Sequence, residues 1–348
     1  MPFRNTSPHE MFRRLAELYP PKKSYARVGG DFEAWKADLY PQVTACLGDA
    51  PPRVPLNPEL VVEWQQDGLI MQRWMIDVNE GLSAVLWINR PIDLAKGERR
   101  PAIMTWHGHG EFGKDSVMGN DGSSERRENI ALHNYDYGRQ MAQAGYVTFA
   151  IDWIGCGDMN EARKPYFRSH NGGGDWCNFY YLHATMMGMT SIAINVANGK
   201  AATDMVCDLP YVDPDRLGIM GLSGGGTMTL WHGLCDERFK ALEIICYSDL
   251  WAYFGFQDLN YCGMQVAPGL YKLIDLPDAH GLLAPRPLLV DVGVYDSCFL
   301  IENALACFRQ VEAIYEAAGA RDDLHLDQFV GEHSWGANKS EDFFGKYL

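Results

Sequence analysis

The rhythm of apolar and polar positions changes twice along the chain. At the start, SPHEMFRRLAEL reads as a helix, with Ser7 as N-cap, Pro8 at the first helical position and Glu10 completing a capping-box pattern. DFEAWKADLYPQVTACLG reads as a second helix, capped by Asp31, broken or kinked at Pro41 and ended at Gly48. DAPPRVPLNPE then brings four prolines and no periodicity, so it is a surface linker. From Leu60 the pattern is that of strands. LVVEWQQDGLIMQRWMIDVNEGLSAVLWINRP holds β-rich runs punctuated by Asp67-Gly68 and Glu80-Gly81, which predicts an antiparallel meander.

From Pro101 onward the pattern changes again. The apolar runs AIMTW, VTFAID, RLGIMG, ALEIICYS, RPLLVDVG and LHLDQFV alternate with helix-like stretches near 135–144, 189–207 and 300–318, and with another after Ser223. Strands that are apolar throughout and separated by helices predict a mostly parallel sheet covered on both faces. Two stretches, roughly 110–133 and 159–183, read as loops longer than such a unit needs, and loops of that kind usually wall or cover a site.

Composition narrows the classes. At 348 residues, 47% hydrophobic and 22% charged, the chain is long and apolar enough for a sizeable core. A net charge of −15 argues against nucleic acid and anionic membrane surfaces as partners. No run approaches the roughly 18 apolar residues of a membrane span. The N-terminus lacks an apolar leader pattern, so a cytoplasmic location is expected, with export after removal of a leader left open. Nine cysteines, an odd number at irregular spacing and without a C-x-x-C, predict reduced buried thiols rather than a disulfide framework or zinc site.

The candidate chemistry centres on LGIMGLSGGGTMTLW. A G-x-S-x-G match is weak alone, but here an apolar run precedes it and a helix-like run follows, the setting of a nucleophile elbow. Gly221 and Gly225 let backbone segments approach while Ser223 projects its Oγ, and the following helix aims its positive end at the site. A plain turn and a phosphate loop are the competing readings, and the second lacks the Lys-Ser/Thr it needs.

A serine needs a base. His333 lies just beyond LHLDQFV, where that base belongs; His325 sits within the run and His280 before the acid strand. Asp296, on the loop after RPLLVDVG, is favoured as the acid over Asp291 inside the run. Gly224 N–H is the expected first oxyanion donor. The loop TWHGHGEFG supplies the second from His109, with Gly108 as the alternative. His107 and His109 have a metal-like spacing, but no cluster of partner carboxylates or Cys lies nearby in sequence, so neither a metal nor a cofactor is expected. Trp153, Trp176, Phe179, Tyr180, Tyr181 and Trp335 are candidate pocket aromatics.

These residues resemble the α/β-hydrolase superfamily, and within it the acetyl-xylan-esterase-like and dienelactone-hydrolase-like carbohydrate esterases. The resemblance covers about 60–348 and rests on HGHGEFGK, GYVTFAIDWIGCGD, DPDRLGIMGLSGGG, PGLYKLIDLPDAHGLLAPRPLLV and GEHSW. It implies an α/β-hydrolase fold, a mostly parallel sheet of about eight strands flanked by helices. Residues 1–58 would form an N-terminal helical arm and linker, suited to packing or homo-oligomerisation, and 59–348 the catalytic domain.

The implied activity is that of a serine carboxylesterase acting through an acyl-enzyme on small-molecule, acetyl-like esters, with carbohydrate as a candidate alcohol. The sequence departs from dienelactone hydrolases, which use Cys where Ser223 stands, and from glucuronoyl esterases, which carry Arg where Gly224 stands. A prolyl-oligopeptidase-like peptidase is the second reading, although the first hundred or so residues are few for its propeller. A thioesterase, or a non-catalytic binding protein on the same fold, is also open.

Overall fold

The computed structural model describes residues 4–161, 176–258 and 261–348. Its strands form one nine-stranded sheet in the order β1-β2-β3-β5-β4-β6-β7-β8-β9. β1 (Glu59–Gln66), β2 (Leu69–Asn79) and β3 (Leu82–Pro91) are the antiparallel meander, turning at Asp67-Gly68 and Glu80-Gly81. β3 meets β5 (Val147–Ala150) antiparallel, and β5 pairs parallel with β4 (Arg100–Trp106). β6 (Val212–Leu222), β7 (Phe239–Ile245), β8 (Leu288–Gly293) and β9 (Leu324–Phe329) continue the parallel array.

The three strands of the meander and the six apolar runs after Pro101 account for all nine strands, close to the eight or so that the resemblance implies. β5 and β8 are buried along their whole length, as strands covered on both faces must be, whereas β1 is an exposed edge.

The N-terminal helices form where their caps predict. Ser7 Oγ accepts the Glu10 N–H at 3.2 Å, and Asp31 Oδ1 accepts the Ala34 N–H at 2.8 Å. The capping box of the first helix (Pro8–Leu18) is only half made, because the Glu10 carboxylate binds Arg13 instead. The second helix (Phe32–Ala45) runs through Pro41 and ends at Cys46 rather than breaking. It is no detached arm: Phe32, Trp35, Leu39 and Val43 belong to the main hydrophobic core. Tyr40 Oη donates to the Leu234 carbonyl at 3.1 Å, and Lys36 Nζ donates to that of Ala284.

The two long loops are partly helical. Lys114–Val117 and Ser124–His133 occupy the first, and Trp176–Met186 closes the second, whose residues 162–175 lie outside the described segments. The first loop is anchored beneath the site by a buried cation. Lys114 Nζ donates to Asp152 Oδ2 at 2.6 Å and to Asp158 Oδ2 at 2.7 Å, joining the HGHG loop to the segment after β5. With Lys114 and Asp152 both 1% exposed, removing either partner would strand a buried charge. No helix among the described residues is long and apolar enough to cross a membrane.

Candidate active site

β6 ends at Leu222 and the helix Gly224–Cys235 begins two residues later, so Ser223 alone makes the turn. It does so with φ +60° and ψ −117°, a strained conformation for a residue with a side chain. The strain is held from both sides: Ser223 N–H donates to the Ile245 carbonyl at 2.8 Å, and its own carbonyl accepts from Thr227 at 3.1 Å.

The flanking glycines follow from crowding. A Cβ on Gly221 would lie 2.5 Å from the Gly225 carbonyl oxygen, and one on Gly225 would lie 2.1 Å from that of Trp106. Gly224 has a different constraint, since a Cβ there would fall 1.9 Å from the Trp153 indole.

His333 and Asp296 meet on the adjacent loops. His333 Nδ1 lies 2.8 Å from Asp296 Oδ2, and Asp296 Oδ1 accepts the N–H groups of Cys298 at 2.7 Å and Phe299 at 3.0 Å. Burial opposes the charge on Asp296, yet the hydrogen bond from His333 and the two backbone donors hold its carboxyl below the usual value. Phe299 stacks on the His333 ring at 5.8 Å and 15°.

Asp291, the alternative acid, is fully buried in β8 against Glu243 of β7, and the His333 ring nitrogen bonds Asp296 instead. Burial pushes both carboxyls up, Glu243 to about 7. His325 points to Tyr347, and His280 is buried behind the sheet with no hydrogen-bond partner for its ring nitrogens among the described residues.

Ser223 and His333 line one cavity of about 430 Å³, together with Gly108, His109 and Tyr135. The two candidate second donors differ there. Gly108 N–H is spent on Tyr135 Oη at 2.5 Å, which leaves His109 as the better candidate. His107 is fully buried and structural. Its Nδ1 donates to the Gly108 carbonyl at 2.7 Å, its Nε2 accepts the Trp153 N–H at 3.3 Å, and burial lowers its pKa.

The aromatic expectations fare differently. None of Trp153, Trp176, Phe179, Tyr180, Tyr181 and Trp335 is among the described lining residues. Trp153 is buried beneath Gly224, and Trp335 donates to Glu243 Oε1 at 3.0 Å in the core. Trp176 lies against Phe179 and Tyr180 on one helix. The apolar wall is instead Phe254, Tyr261 and Phe299.

Comparison with solved structures places this architecture. Over 94% of this chain and 83% of the other, the fold superposes with a TM-score of 0.72 and 16% identity on a provisionally named acetyl xylan esterase from Bacteroides fragilis. A glucuronoyl esterase from Solibacter usitatus superposes with a TM-score of 0.66 and 17% identity, covering 91% of this chain and 94% of that one. The chain has the α/β-hydrolase fold.

In sequence, the chain is 26% identical over 308 residues to YtaP, a provisionally named hydrolase of Bacillus subtilis (strain 168), covering 86% of this chain and 94% of that protein. Residues 195–342 match the model of the prolyl oligopeptidase family. That span of the α/β-hydrolase contains Ser223, Asp296 and His333, but not the HGHG loop.

Among the lining residues that the sequence did not point to, two tie the site loops together. Tyr135 fixes the HGHG loop through Gly108, and His133 Nδ1 donates to the His333 carbonyl at 2.7 Å. Both belong to HNYDYG at the end of the Ser124–His133 helix. The αL conformation of Asn134, with φ +47°, marks that helix end, and Asn is a common αL terminator.

Proposed function

We propose that the protein is a serine carboxylesterase that hydrolyses small acyl esters, acetyl esters of carbohydrates being the favoured class. The carrying observation is that His333, hydrogen-bonded to the buried Asp296, lines the same cavity as Ser223, which is held at a strained strand-to-helix turn. In this reading His333 Nε2 takes the Ser223 proton as Oγ attacks the ester carbonyl carbon. Gly224 N–H and His109 N–H stabilise the oxyanion, and Asp296 stabilises the imidazolium. The C–O bond breaks, His333 returns the proton to the departing alcohol, and the acyl group stays on Ser223 Oγ. Water, deprotonated by His333, then releases the acid.

Three things support an uncharged acyl group and alcohol. The described lining holds no Lys or Arg. Trp153 fills the space a side chain at position 224 would need. The structural relatives named above are carbohydrate esterases. The family match over 195–342 keeps peptides as a second substrate class.

Turnover of p-nitrophenyl esters from acetyl upward, alongside acetylated sugars, a glucuronate methyl ester and a proline amide, tests the reading. The account expects kcat/KM to be highest for acetyl esters and negligible for the amide. Preference for the amide would replace the esterase reading with the peptidase one.

A further inference from the structure

Outside the serine chemistry, the cavity wall holds a second set of reactive side chains. His109 Nε2 and Cys262 Sγ lie 3.1 Å apart, and the ligand atoms of His109, Cys177 and Cys262 all fall within 4.8 Å of one another. Cys177 is buried, and its side chain hydrogen-bonds to Cys156, Cys262 and His109. The three come from separate parts of the chain: the loop after β4, the start of the Trp176–Met186 helix, and the turn before Gly263. His109 and Cys262 face the cavity.

We propose that His109, Cys177 and Cys262 form a binding site for a soft divalent cation of the zinc type. In a tetrahedral site with Zn–S near 2.3 Å and Zn–N near 2.0–2.1 Å, ligand atoms sit roughly 3.5–3.8 Å apart. The His109–Cys262 pair, at 3.1 Å, must open slightly, and separations up to the 4.8 Å limit close by at most about 1 Å. Two thiolates and a neutral imidazole also balance a double positive charge. Binding displaces the two thiol protons to solvent and forms two metal–sulfur bonds and one metal–nitrogen bond, with no change of oxidation state. A water or small anion completes the fourth position. Cys156 hydrogen-bonds to Cys177 and positions it. Once occupied, the site clamps the loop that carries His109 to the Trp176–Met186 helix and to the turn before Gly263. The inference is independent of the esterase reading, because its readout is binding.

The test uses the full chain, reduced, stripped with chelator and then given Co²⁺ and Zn²⁺. About one equivalent is expected to stay bound, with thiolate-to-Co²⁺ charge transfer and the intense visible bands of a tetrahedral ion. Cys177→Ser and Cys262→Ser should abolish the charge-transfer signature or cut it sharply. His109→Ala, a change at an exposed side chain, should weaken affinity about 100-fold even if a cysteine variant folds poorly. Cys46→Ser, outside the cluster, should bind as the wild type does. Three results would each overturn the proposal: a reduced wild type that retains no ion, cobalt spectra without thiolate character, or His109→Ala and Cys262→Ser binding as tightly as wild type. Recovery of Cys177 and Cys262 as a disulfide from freshly purified, unreduced protein would overturn it in favour of a redox pair.

Discussion

Gly224 carries two constraints, and they can be separated. Its N–H is the proposed oxyanion donor, while Trp153 leaves no room for a Cβ, which would sit 1.9 Å from the indole. Gly224→Ala should therefore lower kcat by about 100-fold, the cost of displacing a catalytic group by roughly 1 Å. Trp153→Phe in the same chain withdraws the outer ring atoms and should recover part of the loss in steady-state assays. Tyr135 is the other informative residue. Tyr135→Phe removes the acceptor of a buried N–H and should cost about 1–3 kcal/mol of stability by denaturant melts, with a fall in kcat as the HGHG loop loosens. The placement of Ser223, Asp296 and His333 beyond the carboxyl ends of β6, β8 and β9 was legible from order and local context, since each follows an apolar run. That of Trp153 and Trp335 was not, because a tryptophan reads the same in a core as in a pocket.

At the scale of elements, local capping chemistry was readable and tertiary burial was not. Ser7 and Asp31 announced their helices, but nothing local showed that the second helix completes the core. Leu39 is fully buried there, so Leu39→Ala should cost about 2–5 kcal/mol in an unfolding titration. A dispensable arm would show almost none of that loss. The Ser124–His133 helix was missed because SERRENIALH offers charge and little amphipathic contrast. Its one local signal was Ser123, whose Oγ accepts the Arg126 N–H. The thiol cluster was illegible for a plainer reason: its members are scattered over more than 150 positions, and only the fold assembles them.

Across the whole molecule, the sheet interior has its own pH dependence. Glu243 and Asp291 face one another between β7 and β8, and Trp335 and Ser340 donate to Glu243 from the far end of the chain. Burial raises Glu243 from an ordinary 4.5 to about 7 and Asp291 well above its usual value, so the folded state holds protons that the unfolded chain releases. The stabilisation is complete below about pH 4.5 and is lost as pH rises through about 7. Calorimetric Tm should fall over that interval, and Glu243→Gln with Asp291→Asn should flatten the slope. An unchanged slope would assign the dependence elsewhere.

The central claim is that Ser223 is the nucleophile of this α/β-hydrolase. A fluorophosphonate probe followed by peptide mass mapping tests it most directly. The account predicts stoichiometric modification of Ser223 with loss of esterase activity. It also predicts no labelling of Ser223→Ala, and a drop in kcat of about a millionfold in that variant. Modification of another residue, or robust labelling and turnover by Ser223→Ala, would contradict it.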